Sequence, residues 1–120
     1  MQDSAARFII HAGDLVEHGK WDAEWGEWFY AAGWINGMVP LVPMPGNHEY
    51  VEYGIYNRVL DRGSLTRHWR PLFTLPKHGP PGLEETVYYF DYQGVRFVVL
   101  NSNERLDDQV PWLEGVLAEN

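Results

Sequence analysis

The chain contains no cysteine. That excludes a disulfide framework, thiolate zinc sites, iron–sulfur clusters and a cysteine nucleophile together. It leaves the compartment open, because a core of this size needs no disulfide. Long hydrophobic runs are missing as well. No window approaches the roughly 18 consecutive apolar residues of a bilayer span, and Met1–Arg7 has no basic stretch leading into an apolar run, so it does not read as a signal peptide. Basic charge is scarce: 9 Lys and Arg stand against 17 Asp and Glu, for a net charge of −8. Such a chain is not expected to bind nucleic acid non-specifically or to adhere to an anionic membrane.

What is present suits one small globular domain. The 120 residues are 45% hydrophobic and 22% charged, enough for a single core and against disorder. Aromatic residues reach 15%, with 6 Trp and 7 Tyr. The few basic residues cluster: Arg58, Arg62, Arg67, Arg70 and Lys77 face only Asp61 between positions 58 and 78. That stretch reads first as a solvated helix face and second as an attractor for an anionic substrate.

Arg7-Phe8-Ile9-Ile10-His11 is a β-branched and aromatic run stopped by Gly13, a good buried strand. Trp21, Trp25, Trp28, Phe29 and Ala32 then recur at helical spacing, which predicts a helix with these residues as its core face. Asn36-Gly37 supplies a left-handed cap. Val39 to Met44 predicts a short strand despite its prolines, and Leu65 to Leu72 a helix. Thr86–Tyr92 and Val95–Leu100 predict a hairpin turning at Gln93-Gly94. A last helix spans Gln109 to Ala118, with Pro111 in its first turn. The order gives an α/β fold: a βαβ unit followed by helix, β-hairpin and helix.

A βαβ unit places the carboxyl ends of its two parallel strands on one edge, where ligands of open α/β sheets bind. Here that edge carries His11-Ala12-Gly13-Asp14 and Gly46-Asn47-His48-Glu49. Asp14, Asn47, His48 and Glu49 supply oxygen donors and an imidazole suited to Mn, Fe or Zn. His11 is expected to be a packed strand histidine bonded to backbone, and His18, His68 and His78 to be solvated. His18 also lies near enough to the edge to reach the site. Tyr50, Tyr53 and Tyr56 either pack the loop or line a substrate pocket.

Gly13-Asp14-Leu15-Val16 and Gly46-Asn47-His48-Glu49, with Asp14 and Asn47 33 positions apart, resemble two motifs of the calcineurin-like metallophosphoesterases. The stretch Tyr89–Tyr92 through Arg96–Ser102, then Gln109 and Trp112–Glu114, is similar to that family's hairpin and following helix. The tryptophan-rich helix most resembles the purple acid phosphatase branch. The resemblance implies an αββα sandwich and hydrolysis of a phosphoester by a hydroxide bridging two divalent or trivalent metal ions (Fe, Zn or Mn). It implies that Asp14 bridges the metals, that Asn47 binds the second, and that His48 contacts the phosphate and assists the leaving group. Glu49 would orient a ligand from behind.

The sequence departs from that pattern. The family's early Asp-x-His and its late isolated His and Gly-His-x-His are missing, and Glu17 stands where a purple acid phosphatase has its metal-binding Tyr. Two metals need about eight to twelve donors, and this chain offers two clear ones. Residues 1–120 are therefore expected to form the middle of a larger catalytic domain, lacking its flanking segments. Such a piece should bind metal weakly, turn over little and expose an apolar strand edge that favours self-association. Two other functions compete: a non-catalytic module that stacks exposed aromatics on a partner, and a degenerate regulatory relative of the phosphatase.

Overall fold

The computed structural model describes residues 6–50 and 64–119. Tyr53, Tyr56, Arg58, Asp61 and Arg62 lie outside the described residues.

The first half forms the predicted βαβ unit. Strand β1 (Ile9–His11) and strand β2 (Leu41–Pro43) pair in parallel, with Ile9 opposite Leu41 and His11 opposite Pro43. Both strands are shorter than their apolar runs. Phe8 leaves the ladder and packs edge-on against Phe90, Tyr92 and Phe97 at 5.2–5.3 Å between ring centroids. Pro40 and Pro43 have no N–H for a ladder, which confines β2 to a brief pairing.

Between the strands runs α1 (Asp22–Ala32), with Asp22 and Glu24 in the first turn, where the helix dipole favours acids. The helix ends at Gly33, whose φ of 51° with ψ of −130° only glycine adopts at little cost. Gly37, the expected cap, falls instead inside a second short helix, α2 (Ile35–Met38).

The helical spacing of the tryptophans is only partly a core stripe. Trp25 is buried at 2% exposure, and Trp28 and Phe29 are partly buried against the core. Trp21 is half exposed, because it precedes the helix and stacks on His18 with ring centroids 3.9 Å apart. The core itself gathers Leu15, Val16, Trp25, Trp69 and Phe73. Each buried indole is satisfied: Trp25 Nε1 donates to the Gly19 carbonyl (2.7 Å) and Trp69 Nε1 to that of Glu85 (3.0 Å). Losing either ring would cost about 3–5 kcal/mol.

Helix α3 is a single turn, Trp69–Leu72, shorter than the Leu65–Leu72 expected. Thr66 is occupied otherwise, its hydroxyl donating to the Gly19 carbonyl at 2.7 Å. Strands β3 (Tyr88–Tyr92) and β4 (Val95–Val99) form the predicted antiparallel hairpin. Its turn residues Gln93 and Gly94 both have positive φ, 50° and 80°, as a tight two-residue hairpin turn requires. Tyr88 links the hairpin to the βαβ unit by donating its buried hydroxyl to the Pro43 carbonyl at 2.6 Å.

Helix α4 covers Leu106–Ala118, starting three residues before the predicted Gln109. Arg105 clamps its start through Asp108 at 2.6 Å. Pro111 therefore sits in the second turn, not the first. The fold is mixed α/β, with two two-stranded sheets among the described residues. None of the described helices is long and apolar enough to cross a membrane.

Candidate metal and phosphate site

Both glycine-led loops leave the same edge of the β1–β2 sheet, and their backbones touch. Gly13 has φ +86°, and a Cβ there would stand 2.7 Å from both Cα and N of Gly46. A Cβ on Gly46 would in turn collide with the Asp14 carboxylate and amide. Two glycines thus let the loops close face to face. Asp14 follows in the left-handed region at φ 50°, which its short polar side chain tolerates.

The loops are fastened by Glu49. Its carboxylate is fully buried and accepts N–H bonds from Asp14 (3.0 Å), Leu15 (2.7 Å), Val16 (3.4 Å) and Gly46 (2.6 Å). Converging amides replace the water such a charge would otherwise need. Glu49 is enclosed and holds the backbone that carries Asp14.

Asp14 and Asn47 are both exposed on this edge. Asp14 Oδ1 accepts the His48 N–H at 3.1 Å, which fixes the carboxylate against the second loop. The His48 ring is aimed by Glu17: its Nδ1 lies 2.6 Å from the Glu17 carbonyl. A carbonyl only accepts, so Nδ1 carries a proton. The same bond, aided by the charges of Asp14, Glu17 and Glu49, raises the His48 pKa above its ordinary value.

Tyr50 turns inward. It is 4% exposed, its hydroxyl accepts from Asn101 Nδ2 (2.7 Å) and donates to Glu104 (3.1 Å). Burial also pushes its phenol to a far higher pKa than usual. Among the described residues Tyr50 packs the loop. His18 turns away too, pairing with Glu24 at 2.8 Å beside Trp21.

The remaining histidines differ from expectation. His11 Nδ1 is buried with no hydrogen-bond partner among the described residues, its ring edge-on to Trp28. His68 is not solvated: its ring packs near Trp25, 3.3 Å from the Lys20 carbonyl. His78, exposed as expected, accepts the Tyr89 N–H at 3.1 Å. In the basic stretch, Arg70 lies 3.6 Å from the Glu85 carboxylate.

Sequence reasoning missed Glu17, whose backbone does the aiming, and Asn101, Asn103 and Glu104, which reach the second loop from after β4. A backbone carbonyl leaves no trace in side-chain identity. The Asn-rich stretch from Asn101 to Glu104 was the available signal for the others.

A metal bound here would find the exposed side chains of Asp14 and Asn47 as oxygen donors on the edge where the two loops meet. No group of three or more His, Cys, Asp and Glu side chains converges for a metal among the described residues. Asp14 and Asn47 are oxygen donors of the type that hard divalent cations take.

The calcineurin-like phosphoesterase family model matches residues 2–118. The chain belongs to the calcineurin-like phosphoesterase family. No curated protein and no solved structure matches it. Calcineurin-like phosphoesterases are hydrolases that use divalent metal ions, which agrees with the oxygen donors on this edge.

Proposed function

We propose that this calcineurin-like phosphoesterase chain carries the central part of a metal-dependent phosphoester hydrolase site, nearest to the purple acid phosphatase branch. The observation that carries the reading is the closure of the two loops, which puts Asp14, Asn47 and His48 on one edge. The Asp14 carboxylate and the Asn47 amide oxygen would hold the metals (Fe, Zn or Mn), which would supply charge neutralisation at the phosphate and an activated water.

The chain's own residues do the rest. Asp14 is anchored through the His48 amide, which donates to its Oδ1. His48 keeps Nδ1 on the Glu17 carbonyl and offers Nε2 to the phosphate and the departing oxygen. Its raised pKa favours the protonated ring that a general acid needs. With Glu17 in the tyrosine position of purple acid phosphatases, no tyrosine-to-iron colour is expected.

Two ligands hold metal weakly, so residues 1–120 act as one partial domain that flanking segments complete. The test is hydrolysis of p-nitrophenyl phosphate and of its diester with saturating Mn2+. Slow release that stops with chelator and in Asp14→Ala is the expected result. A rate equal to buffer, or one indifferent to Asp14→Ala, contradicts the hydrolase reading and favours a degenerate relative.

A further inference from the structure

We propose that Asn103, in the loop between β4 and α4, is a positioning residue for Asn47 and His48. This rests on the reading of Asp14 and Asn47 as metal ligands, and it adds a third loop to the site. Asn103 Nδ2 donates to the Pro45 carbonyl at 3.1 Å, directly before Gly46-Asn47. The amide is itself held: Asn103 N and Nδ2 lie 3.0 and 3.2 Å from Asn101 Oδ1.

Asn101 is fully buried and gripped from behind by Gln109. The Gln109 oxygen accepts the Asn101 N–H (3.0 Å), and its Nε2 donates to the Asn101 and Glu104 carbonyls (2.7 and 2.8 Å). The same loop holds the Tyr50 hydroxyl through Asn101 and Glu104. The segment from Pro45 to Tyr50 is therefore pinned at its first residue by Asn103 and at its last by Asn101 and Glu104. Glu49 fixes the middle against the β1 loop.

Asn47 is exposed between these anchors. A ligand on so short a segment keeps its place only while both ends are fixed, as supporting residues do at metal sites generally. Asn103 is half-buried, whereas Asn101 is enclosed, so Asn103 can be changed without opening the core.

The experiment titrates Mn2+ into the 120-residue chain and its Asn103→Ala and Asn103→Leu variants, following amide resonances by NMR. Asn103→Leu keeps the bulk and removes the donor. The expected result is Mn2+ affinity about three- to tenfold weaker in both variants, the share of one hydrogen bond. Shifted resonances at Gly46, Asn47 and His48 and an unchanged melting temperature go with it. Unchanged affinity with unchanged resonances at these residues overturns the proposal. So does a fall in melting temperature with shifts spread through the core, the mark of a merely structural role. If the parent chain shows no Mn2+ effect at Asp14 or Asn47, the metal reading fails separately. The Gly46–His48 resonances of the variants then still decide whether Asn103 positions this segment.

Discussion

Glu49 accepts the Leu15 backbone N–H at 2.7 Å across 34 positions of the chain. That bond and its three neighbours turn two separate loops into one rigid edge. With no side-chain cation paired to it among the described residues, this buried carboxylate depends on the amides around it. Removing it strands those amides in turn. Glu49→Ala should cost about 3 kcal/mol or more, and Glu49→Gln less, because its amide oxygen still accepts at one end. Denaturant unfolding of both variants measures the difference, and equal stability of all three proteins would contradict the clamp.

The glycine contact makes a second prediction. Gly46→Ala puts a methyl group into the Asp14 carboxylate, and Gly13→Ala adds backbone strain at φ +86°. Both should separate Asp14 from the second loop, with the larger loss of stability at Gly13. Loss of the His48 amide's protection from hydrogen exchange, which depends on Asp14 Oδ1, reports the separation.

The parallel βαβ unit and the hairpin were legible because periodicity and turn chemistry agree there. Ile9–His11 and Leu41–Pro43 pair as their apolar runs predict, and Gln93-Gly94 turns as such a pair does. The failures have physical causes. Trp21 shares the helical spacing of Trp25 but precedes the helix, so it meets His18 and solvent instead of the core. At the site, the sequence named the residues that carry chemistry. It was silent on those that hold them, because a Glu17 carbonyl and an Asn103 amide act through backbone contacts across 31 and 58 positions.

His48 supplies a pH-dependent prediction. Its folded pKa is raised above the ordinary 6.5, chiefly by its bond to the Glu17 carbonyl. The stabilisation from protonated His48 is fully present below the unfolded pKa and disappears as pH rises through the folded one. The melting temperature of the parent should therefore decline, relative to His48→Gln, as pH climbs past 6.5. NMR titration of the His48 ring should give a midpoint above that of a free histidine. A midpoint at or below it contradicts the Glu17 contact.

Tryptophan fluorescence should divide. Trp25 and Trp69 are 2% and 0% exposed, while Trp21 and Trp34 are 50% and 70% exposed. Acrylamide should quench one fraction readily and leave another resistant. Trp21→Phe with Trp34→Phe should remove most of the accessible fraction. Uniformly strong quenching would contradict the core and revive the aromatic binding module.

The most direct test of the central claim is where Mn2+ sits. In a Mn2+ titration of the isotope-labelled chain, the amides of Asp14, Asn47 and His48 should broaden first, at weak affinity, and Asp14→Ala should abolish the effect. Broadening that begins elsewhere, along acidic α1 for example, or that survives Asp14→Ala, would contradict the account.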